Sequence, residues 1–175
     1  HLKKFPSKKT SSISSLYFGN EYDENKILES LKKSKLKYYK SDYIESEIAN
    51  FINSGKVVAV FNGKMEYGPR SLGNRSIFYK ADDANVNTWL NKRLNRTEFM
   101  PFAPILLKED ANKFFTDYNE ANFDATQWMT ITCNVSKFCK EVAPAVVHVD
   151  DTARPQLVTE KINKFAYNIL KEYKK

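Results

Sequence analysis

Between Ser41 and Gly63 the hydrophobic period changes within a few residues, and this limits the folds open to the chain more than any other feature. Ile44, Ile48, Phe51 and Ile52 recur at i, i+4, i+7 and i+8, the spacing of one helix face. Ser41 is placed to cap that helix, and Gly55 falls where a left-handed residue ends one. Residues 56–61 (KVVAVF) then turn β-branched and almost wholly apolar, which suits a strand buried on both faces. Asn62-Gly63 follows, a strong two-residue hairpin signal.

The same alternation runs through the rest of the chain. Asp23 can cap a helix over 24–34 whose stripe is Ile27, Leu28 and Leu31. A short strand is expected over 76–79, a helix over 83–94 with Val86, Leu90 and Leu94 on one face, and a strand over 103–107. A short helix over 109–115 and strands over 127–133 and 146–149 follow. Thr159 can cap a last helix that turns Ile162, Phe165, Ala166, Ile169 and Leu170 inward. Helices and strands interleave throughout, so the class is α/β or α+β.

At 42% hydrophobic and 28% charged residues, the 175-residue chain has globular composition, which excludes wholesale disorder. No apolar run approaches the ~20 residues that span a bilayer. Residues 1–15 are basic and Ser-rich with no apolar signal-peptide core, and read as a tail or linker before one domain over 16–175. A cytoplasmic location is expected. Cys133 and Cys139, five residues apart, fit no metal motif, and His1 and His148 are the only histidines, so the cysteines read as ordinary reduced thiols. Because the chain begins with His1 and not Met, a piece of a longer protein has to be considered.

The net charge of +7 favours anionic partners. Lysines are spread along the chain, but Arg is used sparingly: Arg70, Arg75, Arg93 and Arg96 lie close together and Arg154 stands alone. Clustered Arg in a Lys-rich chain points to a need for the planar fork, either for a bidentate grip on phosphate or for ion pairs at the edge of the core.

Residues 63–76 (GKMEYGPRSLGNRS) bring three glycines together with Lys64, Arg70, Ser71, Asn74, Arg75 and Ser76. Glycines allow positive φ and close approach, successive backbone N–H groups can form an anion nest, and the cations can hold phosphate. Neither the Walker A pattern nor G-x-G-x-x-G is present, so a phosphate-binding loop and a structural glycine-rich connection both remain open. A second segment, residues 148–156, holds His148, Asp150, Asp151, Thr152 and Arg154. His148 can bind a ligand, move a proton or serve structure, Asp150 and Asp151 can meet Mg2+ or cap a turn, and Arg154 can act as a second arginine arm.

Three stretches, GKMEYGPRSLGNRSI, NKRLNRTEFMPFAPILL and HVDDTARPQ, resemble in order and approximate spacing the signatures of the C-terminal domain of the carbamoyltransferase family of nodulation and antibiotic-tailoring enzymes. The resemblance covers about residues 16–175. It implies a YrdC-like fold, a twisted, mostly mixed β-sheet flanked by helices. It also implies a domain that makes carbamoyl-adenylate from carbamoyl phosphate and ATP, with Mg2+. An N-terminal Kae1-like domain in cis, the expected site of Fe, would pass the carbamoyl group to a hydroxyl. The resemblance places phosphate and carbamoyl binding on Lys64, Arg70, Arg75 and Ser76, with Arg154 and Thr152 from the third stretch, and Ser71, Asn74, His148 and Asp150 beside them. No metal-binding residue is expected in this part. An adenine slot could use Tyr67, Phe78 or Phe102, each of which equally suits the core. Three departures stand out: Asp151 where Gly is commoner, Ser71 where Ala is frequent, and an end short of the usual C-terminus. The rival readings are a non-catalytic interaction platform and an RNA-binding module, although no RNA-binding signature is present.

Overall fold

In the computed structural model, residues 13–95 and 101–175 are described. Thus most of the N-terminal tail, and Arg96 with the middle of the second signature stretch, lie outside the described residues. Helix α1 (Glu24–Lys33) starts as expected at Asp23, whose carboxylate accepts from the Lys26 amide at 2.9 Å. Its stripe is not buried: Ile27 is exposed, and Leu28 and Leu31 are half-covered.

Helix α2 (Ile44–Asn53) buries Ile48, Ala49 and Ile52. Tyr43 takes the N-cap position, and Ser41 forms a turn just before it by accepting from the Tyr43 amide. The helix ends in a Schellman motif: Lys56 N–H bonds Phe51 O, Gly55 N–H bonds Ile52 O, and Gly55 sits at φ +75°.

Strand β1 (Val58–Phe61) pairs antiparallel with β2 (Arg75–Phe78), Phe61 opposite Arg75. Burial on both faces is not found: Val60 is buried while Ala59 and Phe61 are exposed. The inner face, with Val58 and Phe78, packs on Ile48, Ile52 and Ile169, while on the outer face Phe61 meets the Tyr22 ring and the Arg75 guanidinium and stays exposed. Nor does Asn62-Gly63 make a tight hairpin. The pairing widens there, with the Asn62 amide donating to Asn74 O, into the long glycine-rich connection.

Helix α3 (Val86–Arg93) buries Val86 and Leu90. Strand β3 (Ile105–Leu107) runs parallel to β6 (Gln156–Val158). A 3-10 turn, Lys108–Asp110, leads into α4 (Ala111–Phe114), and another, Glu120–Asn122, into α5 (Phe123–Thr126). The strand expected over 127–133 is corrected to a turn. Gln127, Trp128 and Met129 are buried in succession, and Met129 takes φ +55°, so the sequence alternation is not used as a pleat. Only β4 (Cys133–Asn134) remains, antiparallel to β5 (Thr152–Ala153).

Helix α6 (Lys137–Val142) is capped by Ser136, which accepts from the Cys139 amide at 3.1 Å. The strand expected over 146–149 is also corrected. Pro144 opens a 3-10 turn, Pro144–Val146, Val149 is fully exposed, and the chain reverses as the Asp151 amide bonds His148 O. The last helix, α7 (Lys164–Tyr173), is capped by Asn163 and not by Thr159. Asn163 accepts from the Ala166 amide, whereas the Thr159 carbonyl takes the amides of Ile162 and Asn163 in the preceding turn.

The mixed α/β class is observed, with both strand orientations distributed over three two-stranded ladders. The largest core cluster gathers Leu106, Ala111, Phe115, Cys133, Cys139 and Leu157 between β3, α4 and α6. Among the described residues no helix is long and apolar enough to cross a membrane.

Candidate functional site

Residues 63–76 are organised by Glu66, which lies in the first signature stretch but carried no expectation. Its side chain is buried, and Oε1 accepts the amides of Leu72 at 2.7 Å, Asn74 at 2.8 Å and Arg75 at 3.0 Å. Burial alone would raise its pKa. The amides of Arg75, Leu72 and Asn74 outweigh that and hold the carboxyl below its usual range. One carboxylate thus folds the loop around itself. A G-x-x-E spacing between Gly63 and Glu66, inside a loop rich in donors, was the signal available for it.

Arg75 locks the loop from outside. Its Nη1 donates to Asn62 O at 2.6 Å, and Nη2 to Gly63 O at 3.0 Å and Asn20 O at 3.1 Å. The guanidinium lies 3.7 Å from the Phe61 ring centroid. Ser76 is buried, with Oγ accepting the Gly73 amide at 2.8 Å. Asn74 is buried, donating from Nδ2 to Lys64 O at 2.7 Å and accepting from Asn163 Nδ2 at 3.1 Å. Three of the expected binding residues therefore hold the loop in shape in this structure.

Beneath the loop the Leu72 carbonyl accepts from Tyr17 Oη at 2.8 Å, Gln156 Nε2 at 2.8 Å and Asn163 Nδ2 at 3.4 Å. Burial pushes the Tyr17 phenol up, keeping it a donor. These contacts tie the loop to β6 and to the start of α7. Gly73, at φ +101°, makes the close approach possible: a Cβ there would sit 3.0 Å from Asn163 Nδ2.

Lys64, Arg70 and Ser71 are exposed on this frame. Lys64 opens onto a shallow cleft of about 550 Å³ whose lining also includes Glu21, Glu45, Asn74, Asn163 and Lys164. The second segment forms its own group. Thr152 Oγ1 donates to Asp150 Oδ1 at 2.8 Å and lies 3.3 Å from His148 Nδ1. The bonds from Thr152 hold the exposed Asp150 carboxyl below its usual range, so it stays ionised. Asp151 takes φ +62°, a conformation that glycine adopts without strain, and pairs with Lys140 at 2.7 Å. Arg154 is half-buried, two residues before Gln156 and its bond to the Leu72 carbonyl, so β6 links the two groups.

The remaining expectations divide. Tyr67 is exposed, while Phe78 and Phe102 line an apolar cavity away from the loop. Cys133 and Cys139 are free and buried, and burial pushes both thiols up to about 11, so neither is a ready nucleophile. Among the described residues no three His, Cys, Asp or Glu side chains gather as a metal site.

Comparison with known proteins identifies the family of the sequence. The sequence profile of the family described as Carbamoyltransferase C-terminus matches residues 49–175. An uncharacterized protein of Methanocaldococcus jannaschii is 39% identical over 168 residues, covering 91% of this chain and 31% of that protein. The nodulation protein NolO of Bradyrhizobium diazoefficiens is 34% identical over 137 residues, covering 78% and 25%. Nodulation protein U of Sinorhizobium fredii is 32% identical over 130 residues, covering 74% and 22%. The chain thus spans between a fifth and a third of the length of these relatives. With the first signature stretch and the Arg154 segment both inside the matched region, the chain belongs to the carbamoyltransferase C-terminal family.

Proposed function

We propose that this chain is the nucleotide-handling part of a longer carbamoyltransferase, binding ATP and carbamoyl phosphate and forming carbamoyl-adenylate. Carbamoyl phosphate, ATP and water would give carbamoyl-adenylate, pyrophosphate and phosphate. A Kae1-like domain of the same polypeptide would then pass the carbamoyl group to a hydroxyl.

One observation carries this reading. Lys64, Arg70 and Arg154 lie in the signature stretches and, like several other surface cations, have no carboxylate partner among the described residues. Lys64 and Arg70, on a loop fastened by Glu66 and Arg75, and Arg154, just before β6, are available to an anion on frames that need not reorganise to meet it. The two substrates bring about six negative charges together, so preorganised positive charge is the main requirement and no protein nucleophile is needed. In this reading Lys64, Arg70 and Arg154 clamp phosphates, while Ser71, Thr152 and His148 supply hydrogen bonds. Arg75, Asn74 and Ser76 position the loop. Mg2+ would arrive with the triphosphate, and Asp150, ionised and exposed, is the carboxylate suited to meet it.

The test is calorimetric titration of Mg-ATP with and without carbamoyl phosphate, with pyrophosphate release measured on the same sample. Binding with carbamoyl-phosphate-dependent release is the expected result. Binding without release would remove adenylate formation from this chain alone. No binding of ATP would overturn the reading in favour of an interaction platform, and steeply salt-dependent RNA binding in its place would favour a nucleic-acid module.

A further inference from the structure

Resting on the substrate reading given under Proposed function, we propose that His148 selects carbamoyl phosphate over acyl phosphates of the same shape, by presenting an unprotonated Nε2 as hydrogen-bond acceptor to the carbamoyl amino group. One hydroxyl proton decides the form of the ring. Thr152 Oγ1 stands between two neighbours, Asp150 Oδ1 at 2.8 Å and His148 Nδ1 at 3.3 Å. An ionised carboxylate only accepts, so the single hydroxyl proton of Thr152 goes to Asp150, whose Oδ1 also takes the Thr152 amide at 3.2 Å. Thr152 Oγ1 then offers the ring only lone pairs, and His148 Nδ1 carries a hydrogen and donates to it. A neutral imidazole has one N–H. With that hydrogen spent at Nδ1, Nε2 keeps its lone pair, and no hydrogen bond or ion pair among the described residues uses it. Main-chain bonds close the turn around the ring, the His148 amide donating to Thr152 O at 2.8 Å and the Asp151 amide to His148 O at 3.0 Å.

The same strand supplies a partner for the anion. Ala153 is fully buried while Thr152 and Arg154 on either side of it are half-buried, so alternation along β5 puts Thr152 and Arg154 on one outward face. A lone-pair acceptor bound to Thr152 and a guanidinium two residues further on fit a small ligand that carries an N–H donor close to an anion. Carbamoyl phosphate is such a ligand, because one carbon and one oxygen separate its amino group from its phosphorus. In ATP the ribose keeps the adenine amino group far from the phosphates. Acetyl phosphate has nearly the same size and charge as carbamoyl phosphate, with a methyl group in place of the amino group, and it would leave Nε2 without a donor. A half-buried acceptor facing that mismatch should discriminate by about tenfold. Toward the ring, Thr152 and Asp150 are positioning residues, since they set which nitrogen holds the hydrogen.

Two measurements on the 175-residue chain test this, and the first needs no substrate. His1 and His148 are the only histidines, so long-range proton–nitrogen correlation spectra read each ring, with His1→Gln telling the two apart. At about pH 8 the expected spectrum shows a protonated Nδ1 and an unprotonated Nε2 at His148, a pattern that Thr152→Val and Asp150→Asn should weaken. A protonated Nε2 in the wild type would overturn the proposal. The second measurement is calorimetric titration of carbamoyl phosphate and of acetyl phosphate in the absence of nucleotide. Carbamoyl phosphate should bind about tenfold more tightly, and the preference should fall to about twofold or less in His148→Asn, whose Nδ2 can keep the bond to Thr152 but which has nothing at the place of Nε2. Equal binding of the two phosphates by the wild type would overturn the proposal and leave the ATP reading standing. So would a preference that survives His148→Asn, and if Mg-ATP affinity falls in that variant instead, Nε2 belongs to the adenine amino group. Failure of the wild type to bind either Mg-ATP or carbamoyl phosphate would overturn the substrate reading, and the selection by His148 with it.

Discussion

Removal of the Glu66 carboxylate is the sharpest test of how the loop over residues 63–76 is built. Three amides, of Leu72, Asn74 and Arg75, converge on its Oε1, and the Arg75 amide also reaches Oε2 at 3.2 Å. Hydrogen bonds to a charged acceptor contribute about 1.5–3 kcal/mol each, roughly twice the neutral value. Glu66→Gln keeps one carbonyl oxygen, so the bonds persist as neutral ones, and the Nε2 group now faces the Arg75 amide donor to donor. The expected loss is about 2–3 kcal/mol. Glu66→Ala orphans all three amides in a buried place and should cost about 3–6 kcal/mol, a large part of the stability of an ordinary domain. Urea unfolding gives the magnitude, and amide exchange at Leu72, Asn74 and Arg75 gives the location. The pH dependence has a fixed sign. The folded carboxyl sits below its unfolded value, so its stabilisation is present above the unfolded pKa and is lost as pH falls through the folded one. The wild type should therefore lose stability below about pH 5, and Glu66→Gln should lose less across the same window. A Glu66→Gln variant within about 0.5 kcal/mol of wild type, with unchanged exchange at the three amides, would refute the account of the loop.

Other outcomes follow from the same geometry. Gly73→Ala forces a Cβ to 3.0 Å from Asn163 Nδ2 at φ +101° and should cost about 2–4 kcal/mol in thermal or urea unfolding; a cost below about 1 kcal/mol would mean that the start of α7 yields easily. Asp151, at φ +62°, should tolerate Gly with little change and lose about 1 kcal/mol on replacement by Ala, so equal stability of the two variants would contradict the left-handed backbone. Arg75 and Arg154 should separate. Arg75→Ala loses four carbonyl partners and the Phe61 stack, so unfolding should register a loss of about 2–3 kcal/mol. Arg154→Ala, which breaks no hydrogen bond or ion pair among the described residues, should unfold within about 1 kcal/mol of wild type yet bind Mg-ATP at least about tenfold more weakly by calorimetry. A reversal of those two patterns would exchange their roles.

Local signals proved readable where the physics is local. The Asp23 cap, the Gly55 Schellman turn, and helices α1, α2 and α7 depend on residues within a turn or two of one another, and their patterns survive folding. Where long-range packing decides, the periodicity misled. Residues 127–133 alternate in polarity, but Trp128 and Met129 are both drawn under the loop against Leu72, which a pleat cannot do with neighbours. Residues 146–149 are β-branched except for His148, yet Pro144 and the reversal at His148–Asp151 place Val149 in solvent. The apolar run over 58–61 gave no hint that its outer face would stay exposed, because that depends on what the rest of the fold lays against it.

The site shows the same division more sharply. The residue types of the loop over 63–76 mark a stretch where charge and glycine converge, but types alone do not say which cation is spent on the chain and which stays exposed. Arg70 and Arg75 are equivalent as letters. Only the fold distinguishes them, since Arg75 stands opposite Phe61 in the ladder and meets the carbonyls of residues 20, 62, 63 and 74, while Arg70 is exposed and has no hydrogen bond or ion pair among the described residues. Glu66 was hidden for the complementary reason: an acid within a basic motif reads as a neutralising surface charge until three amides are seen to converge on it. A fixed loop and a free cation make opposite demands on a guanidinium, since one spends its donors and the other keeps them. In the proposed reading each task has its own arginine, so loop stability and anion affinity should respond to different substitutions.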